Sequence, residues 1–208
     1  SPLPYSLNFG ILNGNETRAI HLAFAIFLAY IAYPTFKSSP RDYIPLQDWL
    51  AALIAAACAA YLFVFANALA TRPGDPNTVD LVVAVIGMVL LLEATRRVLG
   101  PALMIVAGVI LLYTFGGPYF PDVIAHKGAS LSKAMSHFWL GSEGVFGVAL
   151  SVSTDTVFLF VLFGALLERA GAGNYFIQVA FSLLGHMKGG PAKAAVVSSA
   201  MTGLISGS

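Results

Sequence analysis

Five apolar runs recur along this chain and leave it little choice of fold: residues 19–36, 49–70, 79–98, 102–115 and 144–167. The first is broken only by His21, Pro34 and Thr35, and the second holds Asn67 as its one strongly polar interior residue. A bilayer core about 30 Å thick is crossed by roughly 20 apolar residues at about 1.5 Å per residue. Loops separate the runs: Lys37-Ser-Ser-Pro-Arg41-Asp42, then the breaker-rich 71–78, then Gly100-Pro101. Composition points the same way. Hydrophobic residues make up 58% and charged residues 10%, with mean hydropathy +0.80, where soluble domains carry about 25% charged residues. Too little polar surface is available to cover a soluble fold. The chain reads as an all-α polytopic membrane protein with about five spanning helices.

Two further segments are apolar but do not span. Residues 121–143 carry Asp122, His126, Lys127, Lys133, His137 and Glu143, with Leu131, Met135, Phe138, Trp139 and Leu140 at helical spacing. They predict an amphipathic helix in the interface, anchored by its Trp. Residues 174–184 are too short to cross and predict a second interfacial or partly inserted helix. Lys37, Arg41, Arg96, Arg97, Arg169, Lys188 and Lys193 fall on one side, and Arg18, Arg72, Lys127 and Lys133 on the other. The richer side is assigned to the cytoplasm, which places residue 1 outside. Glu93 with Arg96 and Arg97 has the spacing of an interfacial ion pair that fixes topology.

Several classes are set aside. A net charge of +1 without a basic run gives no nucleic-acid surface. The single Cys58 allows no internal disulfide, and the four histidines show no metal-ligand spacing. No phosphate-binding Gly-x-x-x-x-Gly-Lys-Ser/Thr loop is present, and no His or Asp stands where it could activate a serine. The chain is not read as an enzyme, and no tightly bound cofactor is expected. Lacking an initiator Met and stopping within Ser206-Gly207-Ser208, the sequence reads as an internal piece of a longer protein.

The last eighteen residues, 191–208, hold the candidate site. Gly189-Gly190-Pro191 opens a helix with proline where its first turn tolerates it. Ser198, Thr202 and Ser206 then follow at i+4, ending in Ser-Gly-Ser. From Ala192 to Leu204 such a helix rises about 20 Å and stops inside a 30 Å core. A helix end at that depth needs a cavity or protein around it. Its carbonyl end favours a cation, and the hydroxyls of Ser206 and Ser208 with a glycine turn at Gly207 supply hard oxygens suited to sodium. An ordinary spanning helix cut short, packing by its small residues, fits the same spacing. Asp155, midway along the fifth run, is by default a functional intramembrane carboxylate. The preferred reading makes Ser153-Thr154-Asp155 the cap of a shorter helix from Val157.

Four blocks carry a family resemblance: Arg18-Ala-Ile-His-Leu-Ala-Phe24, Leu92-Glu-Ala-Thr-Arg-Arg97, residues 157–164, and residues 189–197 followed by Ile205-Ser-Gly-Ser208. Together they resemble the fused permeases of TRAP (tripartite ATP-independent periplasmic) transporters, of the TAXI-type branch. The resemblance implies that residues 1–97 form the small membrane module, lacking its first helix. It implies that 98–208 begin the large transport module, with 121–143 as an arm helix and 191–208 as the first limb of a re-entrant hairpin. It further implies a permease of the bacterial inner membrane, importing an organic acid with sodium as coupling ion by alternating access. A periplasmic substrate-binding protein would deliver the solute, and the rest of the same chain would complete the site. The hairpin-tip role falls on Ser206, Gly207 and Ser208; none falls on Asp155. The alternative is a non-transporting membrane anchor or assembly subunit.

Overall fold

The computed structural model describes residues 13–35 and 43–206. All the regular structure among them is helical. The chain divides into two compact units, Ser1–Ser151 and Val152–Ser208.

In the first unit α1 (Gly14–Ala32), α2 (Leu46–Val64) and α4 (Thr78–Leu99) pack together, with the short α3 (Ala66–Ala70) following a break at Phe65. Helix α1 begins at Gly14, earlier than the 19–36 run suggests. The cause is a capping box: the Asn13 side chain accepts from the Glu16 N–H, and the Glu16 carboxylate accepts from the Asn13 N–H, each at 2.9 Å. Its buried stripe is Ala19, Leu22, Ile26 and Tyr30, the three-and-four spacing of one helix face. Ala52, Ala55 and Ala59 of α2 and Ala84 of α4 are also buried. Small residues at these crossings let backbones approach where lipid gives little hydrophobic drive for helix association. The fourth run forms α5 (Pro101–Gly116), no residue of which is buried. Its Leu103, Ile105, Val106 and Leu112 are all more than half exposed, a surface suited to lipid tails.

Ion pairs close both ends of α4. At its start Asp80, fully buried, accepts from the Tyr61 hydroxyl at 2.6 Å, from Arg72 at 3.1 Å and from the Asn77 N–H at 2.9 Å. At its end Glu93 accepts from Arg96 (2.6 and 2.7 Å) and from Arg97 Nε (2.9 Å). Arg97 also turns inward: Nη1 donates to Asp48 at 2.9 Å, and its guanidinium lies 4.4 Å from the centre of the Tyr30 ring. The Asp48 carboxylate takes the Thr35 hydroxyl as well, at 2.7 Å. Negative charge at the helix start and positive charge at its end also complement the α4 dipole.

The reading of 121–143 as one amphipathic helix with an interfacial Trp needs correction. Only Leu131–Met135 (α6) and a π-helical turn over Ser136–Leu140 are helical there. Trp139 is 0% exposed, lying on Gly87 of α4 and edge-on to Phe146 at 5.6 Å. Gly87 is the reason: a Cβ there would stand 2.2 Å from Trp139 Cζ2, so only a residue without a side chain admits the indole.

Among the described residues four helices are long and apolar enough to cross a membrane: Leu46–Val64, Thr78–Leu99, Pro101–Tyr119 and Val148–Arg169. Helix α1 matches them in length, with 19 residues, but carries Glu16, Arg18 and His21 in its first turns.

Candidate functional site

The candidate site belongs to the second unit. Its first helix runs through α7 (Val148–Val152), which straddles the unit division, a π-helical turn over Ser153–Val157, and α8 (Phe158–Arg169). The expected cap at Ser153-Thr154-Asp155 is therefore corrected: the helix continues past all three residues. The Phe158 N–H bonds the Ser153 carbonyl, the i→i−5 pattern that absorbs one extra residue into a turn. Thr154 is buried and Asp155 exposed in this turn. Turns of this kind often sit at functional positions, but sequence spacing gives no sign of them.

Helices α9 (Ala172–Leu184) and α10 (Gly190–Ser206) follow, joined by a tight connection. The Met187 N–H bonds the Leu184 carbonyl at 3.1 Å and the Gly190 N–H bonds that of Met187 at 2.8 Å. Two glycines make the reversal possible. Gly189 adopts φ +72°, and a Cβ on Gly190 would stand 2.4 Å from the Gly185 carbonyl oxygen. The expectation that Gly189-Gly190-Pro191 opens a helix holds.

Gly190, Ala194 and Ser198, spaced at i+4, are the buried face of α10; Ala194 is 0% and Ser198 6% exposed. Helix α9 lies against α10 and buries its own Ala180. Small residues on both sides bring the backbones close. Thr202 is the next residue of the register, and its hydroxyl donates to the Ser198 carbonyl at 2.9 Å. Past Ser198 the stripe reaches a cavity of about 310 Å³, lined among others by Gly164 and Glu168 of α8, Ala172 and Phe176 of α9, and Thr202. The hydroxyl stripe read from sequence thus divides by role: Ser198 packs, and Thr202 lines a cavity.

Ser206 ends α10 as the next i+4 position after Thr202. Its side chain, and all of Gly207 and Ser208, lie outside the described residues. From Gly190 to Ser206 α10 has 17 residues, about 25 Å at 1.5 Å per residue. Among the described residues no cluster of three or more His, Cys, Asp or Glu could hold a metal ion.

Sequence comparison supplies the last finding. The family model described as tripartite ATP-independent periplasmic transporter, DctM component, matches residues 85–208, more than half of the chain. No curated protein and no solved structure matches.

Proposed function

We propose, from the premise that the chain belongs to the DctM-component family of tripartite ATP-independent periplasmic transporters, that it is permease of a sodium-coupled importer. The solute is an organic acid handed over by a periplasmic substrate-binding protein, and the membrane is the bacterial inner membrane. Residues 1–97 act as the small module, and 98–208 as the beginning of the large transport module of a fused, TAXI-type permease. Residues 121–143 serve as its arm and 191–208 as the first limb of a re-entrant hairpin.

One observation carries this reading: α10 is reversed sharply onto α9 through Gly189-Gly190 and bound to it by a small-residue face. Two helices so joined can move together, as alternating access demands. As the first limb of that hairpin, α10 delivers its carbonyl end to the depth where discontinuous helices hold coupling ions. Ser206, Gly207 and Ser208 then ligate sodium.

The pair Ser206→Ala and Ser208→Ala, placed in the full-length permease and assayed in proteoliposomes with its binding protein, should raise the sodium concentration needed for half-maximal uptake at least tenfold. Removing oxygen ligands from a hard-cation site has this sign. Unchanged sodium dependence in that double variant would refute the assignment of the tip.

A further inference from the structure

The connection between α5 and α6 carries a device that neither the transport reading nor the family match uses. Residues 117–129 fold back over the end of α5. The His126 N–H bonds the Gly117 carbonyl at 3.2 Å, the Ala129 N–H bonds that of Thr114 at 3.0 Å, and the Tyr113 hydroxyl donates to the Ile124 carbonyl at 2.8 Å. The His126 ring is the staple of this strap. Its Nδ1 accepts from the Gly128 N–H at 3.0 Å, and its Nε2 stands 2.9 Å from the Tyr113 carbonyl oxygen.

These two contacts fix the protonation state. A ring nitrogen that accepts from an amide N–H carries no proton, and one that faces a carbonyl must carry one. The closed strap therefore holds a neutral imidazole protonated at Nε2. The ring lies against Gly117, where a Cβ would stand 2.5 Å from it. On the other side it meets the Tyr113 ring edge-on, centroids 4.6 Å apart.

We propose that His126 is a pH-sensitive latch: protonation sets an Nδ1–H against the Gly128 N–H, and the 117–129 strap lets go of the end of α5. The charges around it do not offset that change. Helix α5 has no charged residue, and Tyr113 is its titratable group in contact with the ring. Asp122 and Lys127 on the strap and Lys133 on α6 make no ion pair with His126 among the described residues. Lys127, the adjacent residue, adds like charge to an imidazolium. Because the closed form binds one proton fewer, closure is favoured at high pH and lost as pH falls.

The test uses the full-length permease in nanodiscs, with a nitroxide on Val123→Cys at the strap, where the native residue is 95% exposed. Cys58, 6% exposed, stays in place, and the parent without the new cysteine serves as the blank. Between about pH 8 and about pH 5, the range in which histidine changes charge, label mobility should rise. With His126→Ala it should be high at both. Histidine ring nitrogen shifts, read on the unsubstituted protein, should give the Nε2–H tautomer at the higher pH. Three results would each overturn the latch: an Nδ1–H tautomer at high pH, ring protonation without a mobility change, or the same pH response in His126→Ala. The ring shifts decide even if the alanine variant fails to fold.

Discussion

Arg97→Met is expected to destabilise the protein by about 3–5 kcal/mol, the usual consequence of removing one partner from a buried ion pair. The Arg97 side chain is 4% exposed and that of Asp48 2%, so water cannot replace the lost guanidinium. Asp48 would keep only the Thr35 hydroxyl as its side-chain partner among the described residues. Tyr30 would lose the cation over its ring. Glu93 suffers less, because Arg96 already grips both its oxygens. Arg97→Lys should fail too, since a single ammonium cannot reproduce a fork that serves Glu93 and Asp48 together. Adding Asp48→Leu to Arg97→Met should recover most of the loss, because apolar replacement of both partners is often neutral. Reversible unfolding in mixed micelles measures all three. A loss below about 1 kcal/mol for Arg97→Met, the range of exposed pairs, would mean that the pair is open to water.

Trp139→Ala is expected to cost about 3–5 kcal/mol, the range for emptying a buried aromatic site. Gly87→Ala should damage the same contact from the other side, by roughly 1–3 kcal/mol of overpacking, since its new methyl group would overlap the indole. The two changes should not add. With the indole gone the methyl group has space, so the double variant should be more stable than the sum of the singles implies. Trp139→Phe should cost less than Trp139→Ala, because it keeps part of the packing and removes an indole N–H that has no acceptor among the described residues. Strict additivity of Gly87→Ala and Trp139→Ala would contradict the contact.

How much of this was legible in the sequence follows from the range of each interaction. Spanning runs are local, and α2, α4 and α5 fall within a few residues of their apolar stretches, as does the terminal helix with its Gly-Gly-Pro start. The Glu93, Arg96 and Arg97 triplet was also legible, because its bonds span three and four residues. The inward turn of Arg97 was not, since Asp48 lies 49 residues away and one helix cannot reveal its neighbour. Trp139 misled for the same reason. An aromatic among charged residues looks interfacial until Gly87, distant in sequence, turns out to be its seat. The Asn13-x-x-Glu16 box is local and could have moved the start of α1 earlier. The π-helical turn at Ser153–Val157 has no residue pattern of its own. Of the candidate site, sequence gave the hydroxyl register, while the split between packing Ser198 and cavity-lining Thr202 depended on α9 and α8.

The central claim is that this family member moves solute on a sodium gradient, and uptake itself tests it most directly. The full-length permease is placed in proteoliposomes and supplied with its binding protein loaded with a radiolabelled organic acid. The account predicts accumulation when an inward sodium gradient and the binding protein are both present, and none when either is withdrawn. Accumulation that persists after the sodium gradient is collapsed, or without the binding protein, would contradict it.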